Sequence, residues 1–338
     1  GPLSSARYET AASSSQAYGG APNTSVDPLP SYIRAATKWI DSNTLDLPFK
    51  RVLGSYGYWT GGIPVPADGQ TSIVNRVDYS NDTSISSRRG NVAPNKRMFS
   101  TSSANYLYSA FLRSSSLCRL DFSNDTADGI ARGILSASGY SNSTLSNLNF
   151  AYFQGGEFFG SNVYRLDFSN DLSIGAARGK IPNNFSTVSA NTVGNLNYGY
   201  FNCSATVSRL DYSNDLSIAL TRGNAIVSRA YTNAGVSNNN FGYFTTGLGI
   251  NSSRVERMDY SNDLSTSIYR GNMLYSNVYS SAGTGNQNFG YFGGGLNLPT
   301  SQEVQKIDYS NDTTNASLRG NLPTKMGYHN ATTNARSS

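Results

Sequence analysis

Apolar residues in this chain come in short alternating runs that return at a long, nearly fixed interval, and helical stripes are scarce. The strongest run is aromatic: Tyr56-Gly57-Tyr58-Trp59, then Tyr106 to Phe111, Phe150 to Phe153, Tyr198 to Phe201, Phe241 to Phe244 and Phe289 to Phe292. From Phe289 to Gly295 rings alternate with small residues and the run ends in glycines, a pattern that predicts a strand closed by a tight turn. A second alternating segment follows. Val207, Arg209 and Asp211 share one face and Ser208, Leu210 and Tyr212 the other, so this too predicts a strand. Ser213-Asn214-Asp215 then predicts a turn, because short polar side chains bond the local backbone. The Arg-Gly region that follows predicts a third strand, and a Ser/Asn-rich piece such as residues 231–239 a fourth.

The landmark of the repeat is the pentad Asp-[Tyr/Phe]-Ser-Asn-Asp, which begins at Asp78, Asp121, Asp167, Asp211, Asp259 and Asp308. The spacings are 43, 46, 44, 48 and 49 residues. Two residues before each pentad stands a base: Arg76, Arg119, Arg165, Arg209, Arg257 or Lys306. After each comes an Arg-Gly pair, from Arg89-Gly90 to Arg319-Gly320. Four short strands at such a period predict one propeller blade per repeat. The expected fold is therefore all-β: a six-bladed β-propeller with four-stranded blades.

The sixth repeat stops after a segment, Met326 to Asn334, that aligns with the fourth-strand piece Ala230 to Asn238. The first repeat opens directly on its aromatic strand, so the C-terminal strand is expected to complete the first blade beside Tyr56–Trp59 and remove an open sheet edge. Residues 49–53 are the other candidate for that slot. Residues 1–50 lie outside the period and are expected to form an extended N-terminal arm, leaving 51–338 for the propeller. Within the arm Ser31 to Ile40 predicts a short helix capped by Ser31, with Ile33, Ala36, Trp39 and Ile40 on one face. Trp39 and Ile40 are the candidate anchoring residues.

On these residues the chain resembles the kelch type of propeller over roughly residues 50–338. The kelch order of small-residue inner strand, aromatic strand ending in Gly-Gly, strand reading Val-x-x-Tyr-Asp, turn and outer strand maps onto residues 231–239, Phe241 to Gly247, Val255 to Tyr260, Ser261 to Asp263 and the segment near Tyr269. It also resembles Asp-Tyr-Ser-Asn-Asp repeat proteins of tailed phages, especially phages of marine cyanobacteria. That resemblance implies a virion- or tail-associated structural protein, located in the virion.

Composition adds what the core is made of and which chemistry is lacking. Only 38% of the 338 residues are hydrophobic and 14% charged, so Tyr 23 and Phe 15 must supply much of the buried area. The net charge of +5 is spread along the chain, and no nucleic-acid partner is expected. No run of 18 apolar residues occurs, and no membrane partner is expected. Cys118 and Cys203 occupy different repeat positions, which gives neither a disulfide framework nor a metal spacing. With one histidine, His329, no Ser-His-Asp triad and no His-rich metal site can be assembled. Of 21 acidic residues, 12 are the first and last aspartates of the pentads. Glu157, Glu256 and Glu303 follow aromatic strands in different blades and are the acids open to a glycosidase reading, yet no catalytic residue is assigned.

The repeated charges are read as structural. In Arg-x-Asp the two side chains share a strand face, and the Arg of the neighbouring Arg-Gly pair is placed to reach the same carboxylate. The expected network is Arg76/Asp78, Arg119/Asp121, Arg165/Asp167, Arg209/Asp211, Arg257/Asp259 and Lys306/Asp308, tying blades together. Calcium is the alternative, since Asp-x-Ser-Asn-Asp presents oxygen at alternate positions; otherwise no cofactor or metal is expected. Asn-x-Ser/Thr sequons at Asn81, Asn142, Asn202, Asn251 and Asn330 follow from the composition. Function then falls to surface: decoration of a virion fastened to other virion proteins through residues 1–50, or attachment to host-surface glycans. The polar loops Asp68 to Ile73, Glu157 to Val163 and Gly247 to Val255 are the expected sugar contacts. A secreted or cell-surface bacterial adhesin, extracellular in location, is the alternative.

Overall fold

The computed structural model describes residues 32–35, 38–41, 55–64, 69, 71–95, 98–111, 114–139, 143–154, 161–182, 191–203, 205–226, 234–247, 252–296 and 302–334. The chain divides into a unit Gly1–Val52 and a unit Leu53–Ser338.

In the first unit the helix expected over 31–40 is not formed. Tyr32–Ala35 and Lys38–Asp41 are antiparallel strands in a register that sets Ile33 opposite Ile40 and Arg34 opposite Trp39. Of the residues that suggest a helical face, Ile33, Trp39 and Ile40 are β-branched or aromatic and favour strands, and cross-strand pairing sets Ile33 opposite Ile40 as well as a helix would bring them together.

The second unit holds six four-stranded antiparallel sheets. In the third blade the strands are Ser143–Ser146 (inner), Phe150–Gln154 (aromatic), Asn162–Asp167 (basic) and Ala176–Lys180 (outer). The others follow the same order, and each inner strand neighbours the inner strands of the blades on either side, closing a six-membered ring. The inner strand of the first blade is C-terminal: Asn330–Thr333 pairs with Tyr56–Thr60, Ala331 opposite Trp59 and Thr332 opposite Tyr58. The predicted closure is thus observed, with the six-bladed, four-stranded architecture. Residues 49–53, the rival for that slot, lie outside the described residues. His329 stands between the strands Met326–Gly327 and Asn330–Thr333 and not within the closing strand.

Period-two alternation explains why the aromatic strand is buried on both faces. In blade three Tyr152 packs with Phe201 and Leu210 of blade four, and Phe153 packs with Tyr108 and Leu117 of blade two. The same division gives one apolar cluster per junction, with Tyr58, Tyr108, Tyr152, Tyr200, Tyr243 and Tyr291 all fully buried. An asparagine ends most inner strands. Asn147 Oδ1 accepts from the backbone N–H groups of Asn149 (2.9 Å) and Phe150 (2.8 Å), fixing the turn into the aromatic strand, and Asn195, Asn238 and Asn286 repeat this.

At the seam His329 is buried, and one ring nitrogen, Nε2, lies 2.9 Å from the carbonyl of Gly293. Burial lowers its pKa to about 4, outweighing the opposing pull of the Gly293 carbonyl. The folded chain therefore refuses a proton that the unfolded chain accepts near 6.5, so this contribution to stability is present above that pH and is lost as pH falls towards 4. Urea denaturation from pH 7.5 to 4.5 is expected to show a loss on the order of 3 kcal/mol that His329→Gln, which keeps a donor for Gly293 O, removes. Equal pH slopes in the two proteins would contradict it.

Candidate functional site

The repeated charges meet at the junctions between blades. Tyr58 and Arg76 stand opposite one another on paired strands of blade one, and both reach Asp125, the last pentad residue of blade two. The Tyr58 hydroxyl donates to Asp125 Oδ2 at 2.9 Å and Arg76 Nη1 to the same oxygen at 2.7 Å, while Arg89 Nε lies 3.6 Å from Oδ1. The backbone completes this latch: Gly90 N–H donates to the Asp125 carbonyl at 2.7 Å. A Cβ on Gly90 would stand 2.0 Å from the carbonyl oxygen of Ala127, which is why glycine follows arginine. The latch recurs at every junction, on Asp171, Asp215, Asp263, Asp312 and, across the seam, Asp82. These carboxylates are only 6% to 11% exposed. Burial first, and the adjacent carboxylate second, hold the Tyr58, Tyr108, Tyr152, Tyr200 and Tyr243 hydroxyls far above the usual phenol range, so they remain donors.

The predicted network is corrected in its carboxylate. Asp78, Asp121, Asp167, Asp211, Asp259 and Asp308 do not meet the bases two residues before them. Each caps the 3₁₀ turn that follows; Asp78 Oδ1 accepts from Ser80 N–H at 2.9 Å and from the Ser80 hydroxyl at 2.6 Å. The reason lies in the backbone, which leaves the strand at this residue and turns the carboxylate onto its own loop. Arg76, Arg119, Arg165, Arg209 and Arg257, with Lys306, do tie blades together, but through the last aspartate of the next pentad. Each base also lies over the first ring of its own aromatic strand, as Arg165 does 4.0 Å from the Phe150 centroid. The pentad ring stacks on the latching tyrosine of the preceding blade, Phe168 on Tyr108 at 5.0 Å and Tyr212 on Tyr152 at 5.0 Å. A calcium loop needs the pentad oxygens to converge; here the first carboxylate serves a cap and the last faces two cations of another blade, so this donor set does not fit the ion.

Glu256 is fully buried and accepts from Ile226 N–H at 3.1 Å and the Ser267 hydroxyl at 2.9 Å, a bridge to the blade before it. Glu303 is buried beside the Tyr275 hydroxyl, 3.4 Å away. Glu157, residues 68, 70, 157–160 and 248–251 of the three polar loops expected to meet sugars, and the sequons at Asn142 and Asn251 lie outside the described residues. So do the side chains of Trp39, Ile40 and Cys203. Cys118 is buried, and burial raises its thiol pKa. Asn81 is exposed, Asn202 buried, and Asn330 partly buried.

The inner strands surround a channel of about 200 Å³ whose described lining is hydroxyls, amides, glycines and a few aliphatics, with no charged side chain. Threonines stitch these strands together: Thr144 Oγ1 donates to Ser100 O at 2.8 Å, Thr192 to Thr144 O at 2.9 Å and Thr284 to Thr332 O at 2.7 Å. No protein-family profile matches the chain, and no curated protein matches it.

Separate roles for the two pentad aspartates give separate costs. Asp125→Asn, which leaves two guanidinium groups facing a neutral amide, is expected to lose about 3 kcal/mol in urea unfolding. Asp121→Asn, which keeps a capping oxygen, is expected to lose under about 0.5 kcal/mol. Gly90→Ala is expected to cost about 2 kcal/mol or more, and Gly69→Ala, with nothing within 4 Å of the added Cβ, almost nothing.

Proposed function

We propose that this chain is a non-enzymatic attachment module, a virion structural protein of a tailed phage. It is displayed on capsid or tail, fastened through residues 1–50, and serves decoration or attachment to host-surface glycans. The observation that carries this reading is the division of the chemistry. The repeated charges are committed to capping and latching inside the ring, and the pentad turns present hydroxyls and amides, with exposed leucines at Leu172, Leu216 and Leu264 beside them. Ser80, Asn81, Ser123, Asn124, Ser169 and Asn170 are all exposed there. Such a surface suits neutral, hydroxyl-rich ligands, and a ring that copies it six times suits a surface on which those ligands are dense.

Mass spectrometry of gradient-purified particles from the source lysate is expected to find the chain at stoichiometric levels. Its absence from particles, together with its presence on bacterial envelopes, would replace the virion role with that of an adhesin. The purified chain is expected to bind arrayed host-envelope glycans, with binding lost after periodate treatment of the array. Failure to bind any arrayed glycan would remove the attachment role.

A further inference from the structure

On the turn-bearing face a groove of about 470 Å³ runs between blades two and three. That volume is within the range of small-ligand sites. One wall carries Asn105 and Tyr106 of blade two; the other carries Asn149, Phe150, Asp167 and Ser169 of blade three. Both bonds that Asp167 accepts, from Ser169 N–H at 2.8 Å and the Ser169 hydroxyl at 2.7 Å, use Oδ1. Its Oδ2 accepts from no described residue. Asn105 and Asn149 use their backbone N–H groups to close turns, which sets where their exposed side chains leave the main chain, and their amides bond to no described residue.

The rings Tyr106 and Phe150 are partly exposed, and each is held by a guanidinium 4.0 Å from its centroid. Those cations are not available to a ligand's charge: Arg119 is paired with Asp171 and Arg165 with Asp215, both at 2.7 Å. What remains in the groove is one carboxylate acceptor, two amides that both donate and accept, a hydroxyl, and ring surface. A carboxylate and an amide accept from adjacent hydroxyls and ring surface covers a C–H face, whereas an unpaired carboxylate repels an anion.

We propose that this groove is a binding site for a neutral saccharide presenting adjacent hydroxyl groups, and that its counterparts around the ring make the face multivalent. The cap geometry recurs at Asp78, Asp121, Asp211, Asp259 and Asp308. The junctions are not equal: between blades five and six Gln287 Oε1 accepts from Asn239 N–H at 3.1 Å and bridges the opening, whereas the matching position in blade three is Leu148, whose side chain carries no acceptor. Weak sites on one rigid face add through effective concentration when the sugars are on a surface. The assignment rests on the attachment reading above and places its ligand on the turns, not in the loops at the opposite ends of the strands.

The test uses the full chain with labelled asparagine side-chain amides and threonine methyls, titrated with the methyl glycosides of glucose, galactose, mannose and fucose, and with methyl glucuronide. At least one neutral glycoside is expected to move the Asn105 and Asn149 amides saturably, leave the channel methyls of Thr144 and Thr192 still, and bind more tightly than the glucuronide. Asp167→Asn keeps the cap and is expected to weaken binding about tenfold with an unchanged urea midpoint; Asn149→Ala is expected to weaken it without touching the cap. Shifts confined to the threonine methyls, tighter binding of the glucuronide, no shift at the two amides, or full affinity in both variants would each overturn the groove. If arrayed glycans still bind in those cases, the attachment reading survives; if they do not, both fall.

Discussion

A carboxylate withdrawn from water at each blade junction is the constraint on which this ring depends. Burying an aspartate is costly unless its oxygens are met, and here the donors that meet it come from the neighbouring blade: a phenol, a base on the paired strand and a second arginine on the outer strand. Because Tyr58 and Arg76 face each other in register, strand pairing within one blade prearranges the receptor for the next. The fourth contact, Gly90 N–H to the Asp125 carbonyl, holds the backbones so close that only glycine fits. The latch therefore fixes the rotation between blades as much as it adds stability. In a chain with few aliphatics, apolar area alone would let neighbouring sheets slide.

The aromatic positions obey a related constraint, visible by comparing the six copies within this one chain. Where the pentad ring is Tyr79, Tyr212, Tyr260 or Tyr309, its hydroxyl lies near the second residue of the aromatic strand, which is Gly57, Gly199, Gly242 or Gly290. A Cβ there would stand 2.6 to 2.9 Å from that oxygen. Where the pentad ring is Phe122 or Phe168, the strand carries Leu107 or Ala151 instead. Volume removed from one side chain is returned by the other, as close packing requires.

Why the fold was legible and the latch was not follows from the same repetition. Period-two alternation in 241–245 and 289–293 can be satisfied only by strands, and six pentads at near-equal spacing leave little but a ring. Even the closing strand could be read, since Met326 to Asn334 aligns with an inner strand whose partner is missing. Pairing partners are different. Every repeat offers the same bases and the same two aspartates, so a sequence cannot say whether Arg76 meets Asp78, Asp82 or the Asp125 of the next copy. Only the path of the chain decides, because it turns at Asp78 and carries the next pentad over Arg76. The hairpin at 32–41 escapes a sequence reading for a local reason: over ten residues the spacing of Ile33 and Ile40 suits one helical face and one cross-strand pair equally.

Closure changes what the repeats can do together. In an open array each blade is stabilised by its neighbours and the two ends fray, whereas here Lys306 and Tyr291 close on Asp82, with lysine and aspartate 224 residues apart in the chain. That junction repeats the others with one substitution, a lysine where five copies have arginine, and a compact ammonium makes one short contact of 2.7 Å in place of a planar fork. It is also the junction that holds His329 and Trp59, whose Nε1 lies 3.4 Å from the Ala282 carbonyl. The seam thus differs in chemistry while matching in geometry. A ring whose six junctions are geometrically alike keeps its turns at fixed distances on one face. Those turns can therefore act as a set on a surface ligand, which loops on an open array, free to spread with its ends, could not.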